Sequence, residues 1–257
     1  EQPILDTFRL DGQVALIVGG SRGLGKSIAT GFAQAGAVTV ISARSEDVCR
    51  SAAEEIEAST GAKCVALPFD ATDENAVEAA FDKIVADHGR LDVLVNSAGV
   101  NVRYPIDACP PEEFRKVIDI NLTGSWLCCR QAAKIMKERK SGSIINLGSA
   151  LSTVALPERT PYCSSKFAII GLTQSLSLEL APHGVRCNAI CPGFFMTEMN
   201  EPLKDQPEKL EMVLSQMALN RSGEVHEIRG AALFLASAAS SFVTGSSLYI
   251  DAGWTAK

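Results

Sequence analysis

The sequence has few histidines, no run of basic residues and no long apolar segment, and each absence excludes a class of protein. Its three histidines, at positions 88, 183 and 226, lie in charged or loop contexts, which disfavours a metal site. A net charge of −6 without a basic run argues against nucleic acid or an anionic membrane surface as a partner. No apolar run approaches the ~20 residues that cross a bilayer, and the acidic, polar start at Glu1 does not resemble a signal peptide. We therefore expect a cytoplasmic protein whose partners are small molecules.

Cysteine occurs eight times, yet the sequence contains no C-x-x-C motif. Five of the cysteines lie inside apolar or helical stretches, at Cys64, Cys128, Cys129, Cys187 and Cys191. Cysteines in such places are typically buried free thiols in a reducing compartment, rather than disulfide partners or zinc ligands.

Short apolar runs of β type alternate with helical patterns along the 257 residues, of which 46% are hydrophobic. Strands are predicted at Val14–Val18, Val38–Ser42, Cys64–Leu67, Val93–Asn96, Ser143–Leu147, Val185–Ile190 and Ser247–Ile250. Helices are predicted after the first strand and at roughly 46–58, 74–88, 111–138, 161–181 and 225–236. Continuous apolar strands are typical of a parallel sheet covered on both faces. The alternation predicts one doubly wound α/β domain of the Rossmann type, with a seven-stranded parallel sheet, over residues 1–257.

One region, residues 197–222, interrupts this alternation with two prolines and a charged, methionine-rich helix. An insertion at the carboxyl edge of a parallel sheet is a suitable place for a substrate lid. A plain surface excursion is the alternative.

A glycine-rich turn follows the first strand. Gly19, Gly23 and Gly25 have the spacing G-x-x-x-G-x-G, with Ser21 and Leu24 between them. Such a turn between a strand and a helix lets the backbone approach a pyrophosphate, which the helix N-terminus stabilises. The position after the first strand makes this a candidate dinucleotide site.

The end of the second strand indicates which dinucleotide is bound. Ala43 stands where NAD-dependent proteins place an acid for the ribose 2′-hydroxyl, and Arg44 and Ser45 follow it. Together with Arg22 in the glycine loop and Ser42 in the strand, these residues form a candidate clamp for a 2′-phosphate. The sequence therefore predicts NADP, although either arginine alone could be a solvated surface charge.

Tyr162 and Lys166 lie one helical turn apart and so share a face. Thr160-Pro161 provides a start signal that places Tyr162 in the first turn of its helix. A neighbouring cation and a helix N-terminus both favour phenolate, so we expect this tyrosine to act as an acid or base near neutrality. Ser149 follows the apolar run that ends at Leu147.

These motifs, in this order, resemble the short-chain dehydrogenase/reductase family over essentially the whole chain. The resemblance rests on the glycine loop, on Asp70 after the third strand, on Asn96-Ser97-Ala98-Gly99 after the fourth, and on Asn121, Ser149, Tyr162, Lys166, Pro192-Gly193 and Thr197.

The resemblance implies a set of cofactor contacts. Asp70 would bind the adenine amino group, with the Ala71 amide beside it, and Asn96 would keep the fourth strand and its loop in register. Thr197 and the backbone around Phe195 would hold the nicotinamide carboxamide. Ala98, Gly99, Pro192 and Gly193 complete the implied cofactor site.

The resemblance also implies a catalytic tetrad. Tyr162 would exchange a proton with the substrate oxygen, which Ser149 would also bind. Lys166 would bind the nicotinamide ribose and lower the pKa of the tyrosine, and Asn121 would hold a water that links Lys166 to solvent. The implied activity is NADP-dependent interconversion of a secondary alcohol and a ketone.

Three positions depart from the family pattern: Val18 replaces a threonine, Ser97 replaces a second asparagine, and Ala252 interrupts a double glycine. None of them carries a reacting group, so we expect no more than a small effect on cofactor affinity.

Within the family, residues 102–105, 114–121 and 225–251 look most like the gluconate 5-dehydrogenases and related sugar-acid or polyol dehydrogenases. Arg103 would lie at the pocket mouth, where it could pair with a carboxylate or phosphate or remain a solvated loop residue. The expected pocket walls are apolar and suit a less polar ketone as well: Leu151, Val154, Ala155, Leu156, Phe194, Phe195, Met196 and Met199.

Two other functions remain open. A 3-oxoacyl-thioester reductase would need basic residues at the mouth for an acidic carrier, and the candidates are Arg103, Arg159 and Lys204. A non-catalytic NADP-binding protein is the other possibility, but such proteins usually lose the tyrosine or the lysine.

The helices at 111–138 and 161–181 have apolar residues on more than one face, including Phe114, Trp126 and Phe167. A second apolar stripe indicates a further covered surface, either inside the subunit or between copies. Small residues between the stripes allow a four-helix contact about a two-fold axis, and the family resemblance implies a homotetramer.

Overall fold

The computed structural model describes residues 3–198 and 200–256, and its seven parallel strands lie in one sheet in the order β3-β2-β1-β4-β5-β6-β7. The strands are β1 (Val14–Val18), β2 (Val38–Ser42), β3 (Cys64–Ala66), β4 (Val93–Asn96), β5 (Gly142–Leu147), β6 (Val185–Pro192) and β7 (Ser247–Ile250). The α-helices are α1 (Gly23–Gln34), α2 (Glu46–Thr60), α3 (Glu74–His88), α4 (Pro111–Ile118), α5 (Gly124–Arg139), α6 (Thr160–Leu180), α7 (Pro207–Leu214) and α8 (Ile228–Ala236). This arrangement confirms the predicted doubly wound parallel fold.

Helices cover both faces of the sheet, because its central strands are apolar on both sides. Every residue of β1 and β4 is buried. Side chains of α1, α2 and α8 fill one apolar layer, represented by Phe32, Ile56 and Leu235. The opposite layer contains α3, α5 and α6, represented by Phe81 and Met136. The core therefore fixes the carboxyl ends of the strands at one edge of the molecule.

The strand order reverses between β1 and β4, which places the loops after these two strands side by side. Val18 pairs with Asn96 across them, and the Ser97 amide donates to the Val18 carbonyl over 2.9 Å. A crevice at such a reversal is the usual ligand position in open α/β sheets.

The single helix predicted over 111–138 is wrong in one respect, because a wider π turn at Asp119–Thr123 separates α4 from α5. The Asn121 side chain in this turn bonds to Val100 and to Ser165, which belong to other parts of the chain. These long-range bonds accompany the wider turn, and helical periodicity does not reveal them. Single π turns frequently mark functional sites.

Strand β6 extends two residues beyond its predicted end at Ile190. The extension follows from β7, because Cys191 and Pro192 pair with Tyr249 and Ile250. The sheet therefore continues to the point where Gly193 turns away.

Residues 197–222, the predicted lid, contain a 3₁₀ turn at Glu201–Leu203 and helix α7. Leu203 and Met217 pack with Phe194 in a small apolar cluster of their own, against which Trp254 also lies. The region thus has a separate anchor beside the carboxyl end of β6. Met199, expected in the pocket wall, lies outside the described residues.

Ala252, one of the three departures from the family pattern, has a left-handed backbone with φ of 55°. Glycine adopts this conformation without the Cβ penalty that alanine incurs. The preceding Asp251 holds the turn by accepting bonds from the amides of Gly253 and Thr255, at 3.0 and 2.9 Å. Carboxylate bonds of this kind explain how the turn tolerates alanine.

In the described residues, no helix is long and apolar enough to cross a membrane. Across the same ranges, no group of three or more potential metal-ligating side chains comes together.

Candidate active site

The glycine loop forms a tight cradle at the N-terminus of α1. Gly19 has φ of 79° and Gly23 has φ of 52°. A Cβ on Gly19 would lie 2.6 Å from the Ala98 amide nitrogen, and a Cβ on Gly25 would collide with the Gly19 carbonyl. Side chains larger than hydrogen would therefore fill or distort the loop, and the exposed helix N-terminus suits a pyrophosphate. This local geometry fits a dinucleotide.

Strand β2 supports the loop from below and presents a cation beside it. The Ser42 carbonyl accepts from the Gly19 and Gly20 amides at 3.0 and 3.1 Å. Ser42 is buried and its backbone carbonyl supports the loop, so a role of its side chain in the phosphate clamp stays a prediction. Arg44 and Ser45 are exposed beyond the strand end.

Arg22, the second predicted phosphate ligand, lies 3.9 Å from the carboxylate of Glu198 in the lid region, and both side chains are largely exposed. The pair connects the glycine loop to the segment after β6. Thr197 strengthens that connection, since its side chain lies 3.7 Å from the Cβ position of Gly23.

Asp70 lies in the turn after β3, where its carboxylate accepts from the amide and hydroxyl of Thr72 at 2.9 and 2.8 Å. The hydrogen bond from the Thr72 amide is the main cause that holds the pKa of this carboxyl below its usual range, and the charge of Arg44 contributes more weakly. Asp70 is thus an ionised acceptor near Arg44. Ala71, next to it, packs against Gly124, where a Cβ would lie 3.1 Å from the Ala71 carbonyl oxygen.

A buried polar network supports the floor of the site, and part of it was missed by sequence reasoning. The Asn96 amide donates to the Asn146 side chain at 2.9 Å, and Asn146 donates to the Thr173 hydroxyl at 3.0 Å. The signal available in the sequence was a polar residue in the apolar strand β5. The network joins β4, β5 and α6, and it fits the predicted role of Asn96 in keeping its strand and loop in register.

Ser149 and Tyr162 meet above this network. Ser149 follows β5 and is buried, and its hydroxyl accepts from the Leu151 amide at 3.1 Å. The Ser149 side chain lies close enough to the phenol of Tyr162 to lower the pKa of that phenol in part. A substrate oxygen bound at this pair would face both an acidic hydrogen and a second hydrogen-bonding group.

Lys166 completes the cluster from one turn further along α6. Its ammonium lies 5.7 Å from the centre of the Tyr162 ring and donates to the Leu147 carbonyl at 2.6 Å. The side chain is buried, and burial lowers the pKa of Lys166 to about 8. The lysine therefore titrates close to the physiological range.

Burial shifts the pKa of Tyr162 upward, whereas the sequence predicts a fall. It raises the pKa of this phenol above its usual value, although nearby Ser149 and the charge of Arg159 lower it in part. The sequence shows the nearby cation and the helix N-terminus, but the desolvation of the phenol depends on tertiary packing.

Asn121 lies beside the cluster, and its side chain forms hydrogen bonds to other parts of the chain. Its oxygen accepts from the Val100 amide at 2.8 Å, and its nitrogen donates to the Val100 carbonyl and the Ser165 hydroxyl at 3.0 Å each. Ser165 in turn donates to the Tyr162 carbonyl at 2.7 Å. The asparagine thus ties the loop after β4 to the first turn of α6. Gly99 lies beside it, with its Cβ position 3.8 Å from the Lys166 ammonium.

The far wall follows β6. A Cβ on Gly193 would lie 2.5 Å from the Asp251 Cα, so this turn needs glycine. The Phe195 carbonyl accepts a hydrogen bond from the side-chain amide of Asn200 at 2.8 Å, and the Phe195 ring packs against Gly223. Pro192, Gly193, Phe195 and Thr197 therefore run from the sheet edge to the glycine loop, along the side expected to hold a nicotinamide.

The expected apolar pocket wall is only partly buried. Leu151, Phe194 and Phe195 are buried, whereas Ala155 and Leu156 are exposed. Arg103 is exposed in the loop after β4, and its place at the pocket mouth stays a prediction. A second guanidinium, that of Arg159, lies near enough to alter the pKa of Tyr162.

A parallel sheet with a glycine cradle at the strand reversal, and a Ser149-Tyr162-Lys166 cluster opposite it, defines a dinucleotide-binding α/β oxidoreductase. Gly23 and Thr197 line the same cleft, so the segment after β6 lies beside the glycine loop.

Comparisons with known proteins specify the family. A family model described as enoyl-(acyl carrier protein) reductase matches residues 18–255. The 5-keto-D-gluconate 5-reductase of Escherichia coli K12 is 37% identical over 248 residues, covering 96% of this chain and 97% of its own. A 3-oxoacyl-[acyl-carrier-protein] reductase of Staphylococcus aureus is also 37% identical, over 240 residues, which cover 93% of this chain and 96% of the reductase.

Among solved structures, a gluconate 5-dehydrogenase from Burkholderia cenocepacia in complex with NADP and tartrate is 38% identical, with a TM-score of 0.96 over 99% of this chain and all of that one. The chain belongs to the short-chain dehydrogenase/reductase family.

The lowered pKa of Lys166 predicts a pH-dependent stability. The unfolded lysine titrates near its ordinary value of 10.5, whereas the folded one titrates at about 8. Unfolding therefore takes up a proton between these pH values, so the burial penalty disappears as pH rises from 8 to 10.5. We expect the free energy of unfolding of the wild type minus that of Lys166→Met to rise with pH in this window by up to about 1.4 kcal/mol per unit.

Chemical denaturation at a series of pH values measures this difference. Lys63→Met, at an exposed lysine, is the matched control and should give no such slope. A Lys166→Met difference that is constant between pH 8 and 10.5 would contradict the assignment.

Proposed function

We propose that this protein is an NADP(H)-dependent oxidoreductase that interconverts a secondary alcohol and a ketone, with a sugar acid or polyol as substrate. The observation that carries the proposal is the clustering of Ser149, Tyr162 and Lys166, with the buried Lys166 ammonium 5.7 Å from the centre of the Tyr162 ring. These three side chains, with Asn121, form the proposed catalytic tetrad.

NADP(H), when bound, would be the source of the hydride in reduction and its acceptor in the reverse direction. In reduction, Tyr162 gives its phenolic proton to the substrate oxygen, and Ser149 holds that oxygen by a hydrogen bond. Lys166 keeps a positive charge beside the phenol, which favours the phenolate that remains. A positioned proton donor of this kind contributes about 10²–10⁴-fold to the rate.

Asn121 has a proposed role that its contacts support indirectly. Its side-chain bonds to Val100 and Ser165 hold the π turn beside Lys166. We propose that the turn also holds a water through which Lys166 exchanges protons with solvent.

The residues present fit NADP. Arg44 and Ser45 would hold the 2′-phosphate with Arg22, the glycine loop with Ser21 and Leu24 would hold the pyrophosphate, and Asp70 with Ala71 would bind the adenine. The walls for the nicotinamide half are the residues after β4 and β6, Asn96, Ala98, Gly99, Pro192, Gly193, Phe195 and Thr197. The relative from Burkholderia cenocepacia, crystallised with NADP, supports this choice.

The proposed substrate class rests on relatives and on the pocket mouth. The Escherichia coli relative reduces a keto sugar acid by its name, and exposed Arg103 offers a guanidinium for the acid group. Leu151 and Phe194, both buried near the cluster, would contact the carbon chain.

A 3-oxoacyl-thioester reductase is the second candidate. The Staphylococcus aureus relative supports it, as do the apolar walls. A panel of 5-keto-D-gluconate, neutral ketoses and acetoacetyl-CoA, with NADPH consumption followed at 340 nm, separates the candidates.

We further propose that residues 1–257 act as one domain in the cytoplasm and assemble as a homotetramer. The seven strands join one sheet, and the eight cysteines are free thiols, as a reducing compartment allows. Phe114, Trp126 and Phe167 are each more than 40% exposed on α4, α5 and α6, as a helical contact between copies would need.

The first prediction tests the tetrad. Tyr162→Phe removes the transferable proton but keeps the ring, so turnover should fall below a few percent of wild type while NADPH binding stays nearly unchanged. Steady-state kinetics and fluorescence titration measure the two quantities. Retained turnover in Tyr162→Phe would refute the role.

The second prediction concerns the cofactor. Replacing both Arg22 and Arg44 with alanine removes charge-assisted contacts that contribute on the order of 1.5–3 kcal/mol each. NADPH affinity should fall at least about tenfold more than NADH affinity. Arg50→Ala, on the exposed face of α2, is the control. Equal losses for the two cofactors, or a wild-type preference for NADH, would show that the clamp is wrong.

Glu198→Gln sharpens this test. It removes the carboxylate that lies near Arg22, so we expect NADPH affinity to rise while NADH affinity stays constant.

The third prediction concerns assembly. Light scattering at micromolar concentration should give a mass four times that of the 27.3-kDa chain. A mass equal to one chain would contradict the tetramer, and Trp126→Glu should dissociate it.

A further inference from the structure

Two guanidinium groups come together at the mouth of the site. Arg103 is exposed in the loop that follows β4, and Arg159 is half-buried immediately before α6, three residues before Tyr162. Each lies within electrostatic reach of the other, because the charge of Arg103 lowers the pKa of Arg159. The arrangement is costly on its own, since like charges repel and burial disfavours the charged form.

The backbone holds this pair in place. The Tyr104 amide donates to the Glu158 carbonyl at 3.2 Å, which ties the two loops together next to both arginines. Glu158 has a left-handed backbone with φ of 61°, an uncommon conformation for a residue with a side chain. The Arg159 carbonyl then accepts from the Cys163 amide at 2.8 Å, which connects Arg159 to the first turn of α6. Strain of this kind persists where the surrounding structure fixes it, and it clusters at binding sites.

Neither guanidinium has a carboxylate partner within 4.0 Å among the described residues. The arginines that form ion pairs among the described residues are Arg9, Arg22, Arg50, Arg90, Arg130, Arg139 and Arg221. Glu158 acts on Arg159 only at longer range. Two arginines without an acid, one of them half-buried beside the proposed proton donor, make a site for an anionic group.

We propose that Arg159, together with Arg103, binds the carboxylate of the substrate and selects anionic sugar acids over neutral ketoses. The inference rests on the proposed function and adds a specificity-determining residue to it. Arg159 anchors the acid end, so that the carbonyl several carbons away reaches Ser149 and Tyr162. The planar guanidinium matches a carboxylate with two parallel hydrogen bonds, which a single exposed lysine does not provide.

The experiment compares two substrates that differ only at the acid end. L-sorbose is 5-keto-D-gluconate with the carboxylate replaced by a hydroxymethyl group. In Arg159→Gln, KM for 5-keto-D-gluconate should rise at least about tenfold, as loss of a charge-assisted bond predicts, while kcat changes less than about threefold. The kinetic constants for L-sorbose and the affinity for NADPH should stay unchanged, and Arg159→Lys should recover part of the loss.

A binding measurement makes the test independent of turnover. Calorimetric titration of tartrate into the protein saturated with NADP⁺ should show at least tenfold weaker binding in Arg159→Gln than in wild type. Arg115→Gln is the matched control, because Arg115 on α4 is also an arginine outside these ion pairs and is exposed. It should change neither tartrate affinity nor KM.

The outcomes separate the two proposals. If the wild type reduces 5-keto-D-gluconate and Arg159→Gln alters neither its KM nor tartrate affinity, the inference is wrong and the proposed function stands. An equal rise in KM for 5-keto-D-gluconate and L-sorbose in Arg159→Gln would also overturn the carboxylate role. If the wild type binds no tartrate and reduces acetoacetyl-CoA alone, both the sugar-acid substrate and the inference are wrong.

Discussion

The burial of one cation, the ammonium of Lys166, constrains the rest of this site. No carboxylate neutralises it within 4 Å in the described residues, and the Leu147 carbonyl is its hydrogen-bonding partner. A lone charge in such a place loses hydration that a single carbonyl replaces only in part, which is why the pKa of Lys166 falls to about 8. The surrounding polar groups are arranged to hold the lysine: Ser152 donates to its backbone carbonyl at 2.8 Å, and Asn121 ties the loop after β4 against the same helix.

The sheet makes this local arrangement possible. Because β4 and β5 end side by side, Asn96 and Asn146 bond to each other beneath the crevice, and Asn146 reaches Thr173 in α6. The network therefore connects α6, which carries Tyr162 and Lys166, to β4 and to β5, the strand that Ser149 follows. We expect a change in this network to shift Ser149, Tyr162 and Lys166 together.

Sequence patterns predicted most of this arrangement, since the strands and the motif residues are encoded locally. Val14–Val18 and Val93–Asn96 have their predicted bounds because continuous apolar runs in a parallel sheet leave little ambiguity. The π turn around Asn121 and the hydrogen bonds of Asn146 could not be predicted, since both depend on contacts between distant segments. Arg103 and Arg159 were candidates from the sequence, but their proximity to each other was not predicted. The pKa of Tyr162 was expected to fall because the sequence shows a nearby lysine, whereas the burial that raises it appears only in three dimensions.

The central claim is that burial, more than the neighbouring lysine, sets the pKa of Tyr162 in the protein without ligands. Absorbance at 295 nm, recorded from pH 6 to 10.5 for the wild type and for Tyr162→Phe, isolates this phenol, because the two other tyrosines cancel in the difference. The account predicts that Tyr162 is less than half ionised at pH 10. A difference titration with a midpoint below pH 9 would contradict it and would show that the cation and the helix N-terminus dominate.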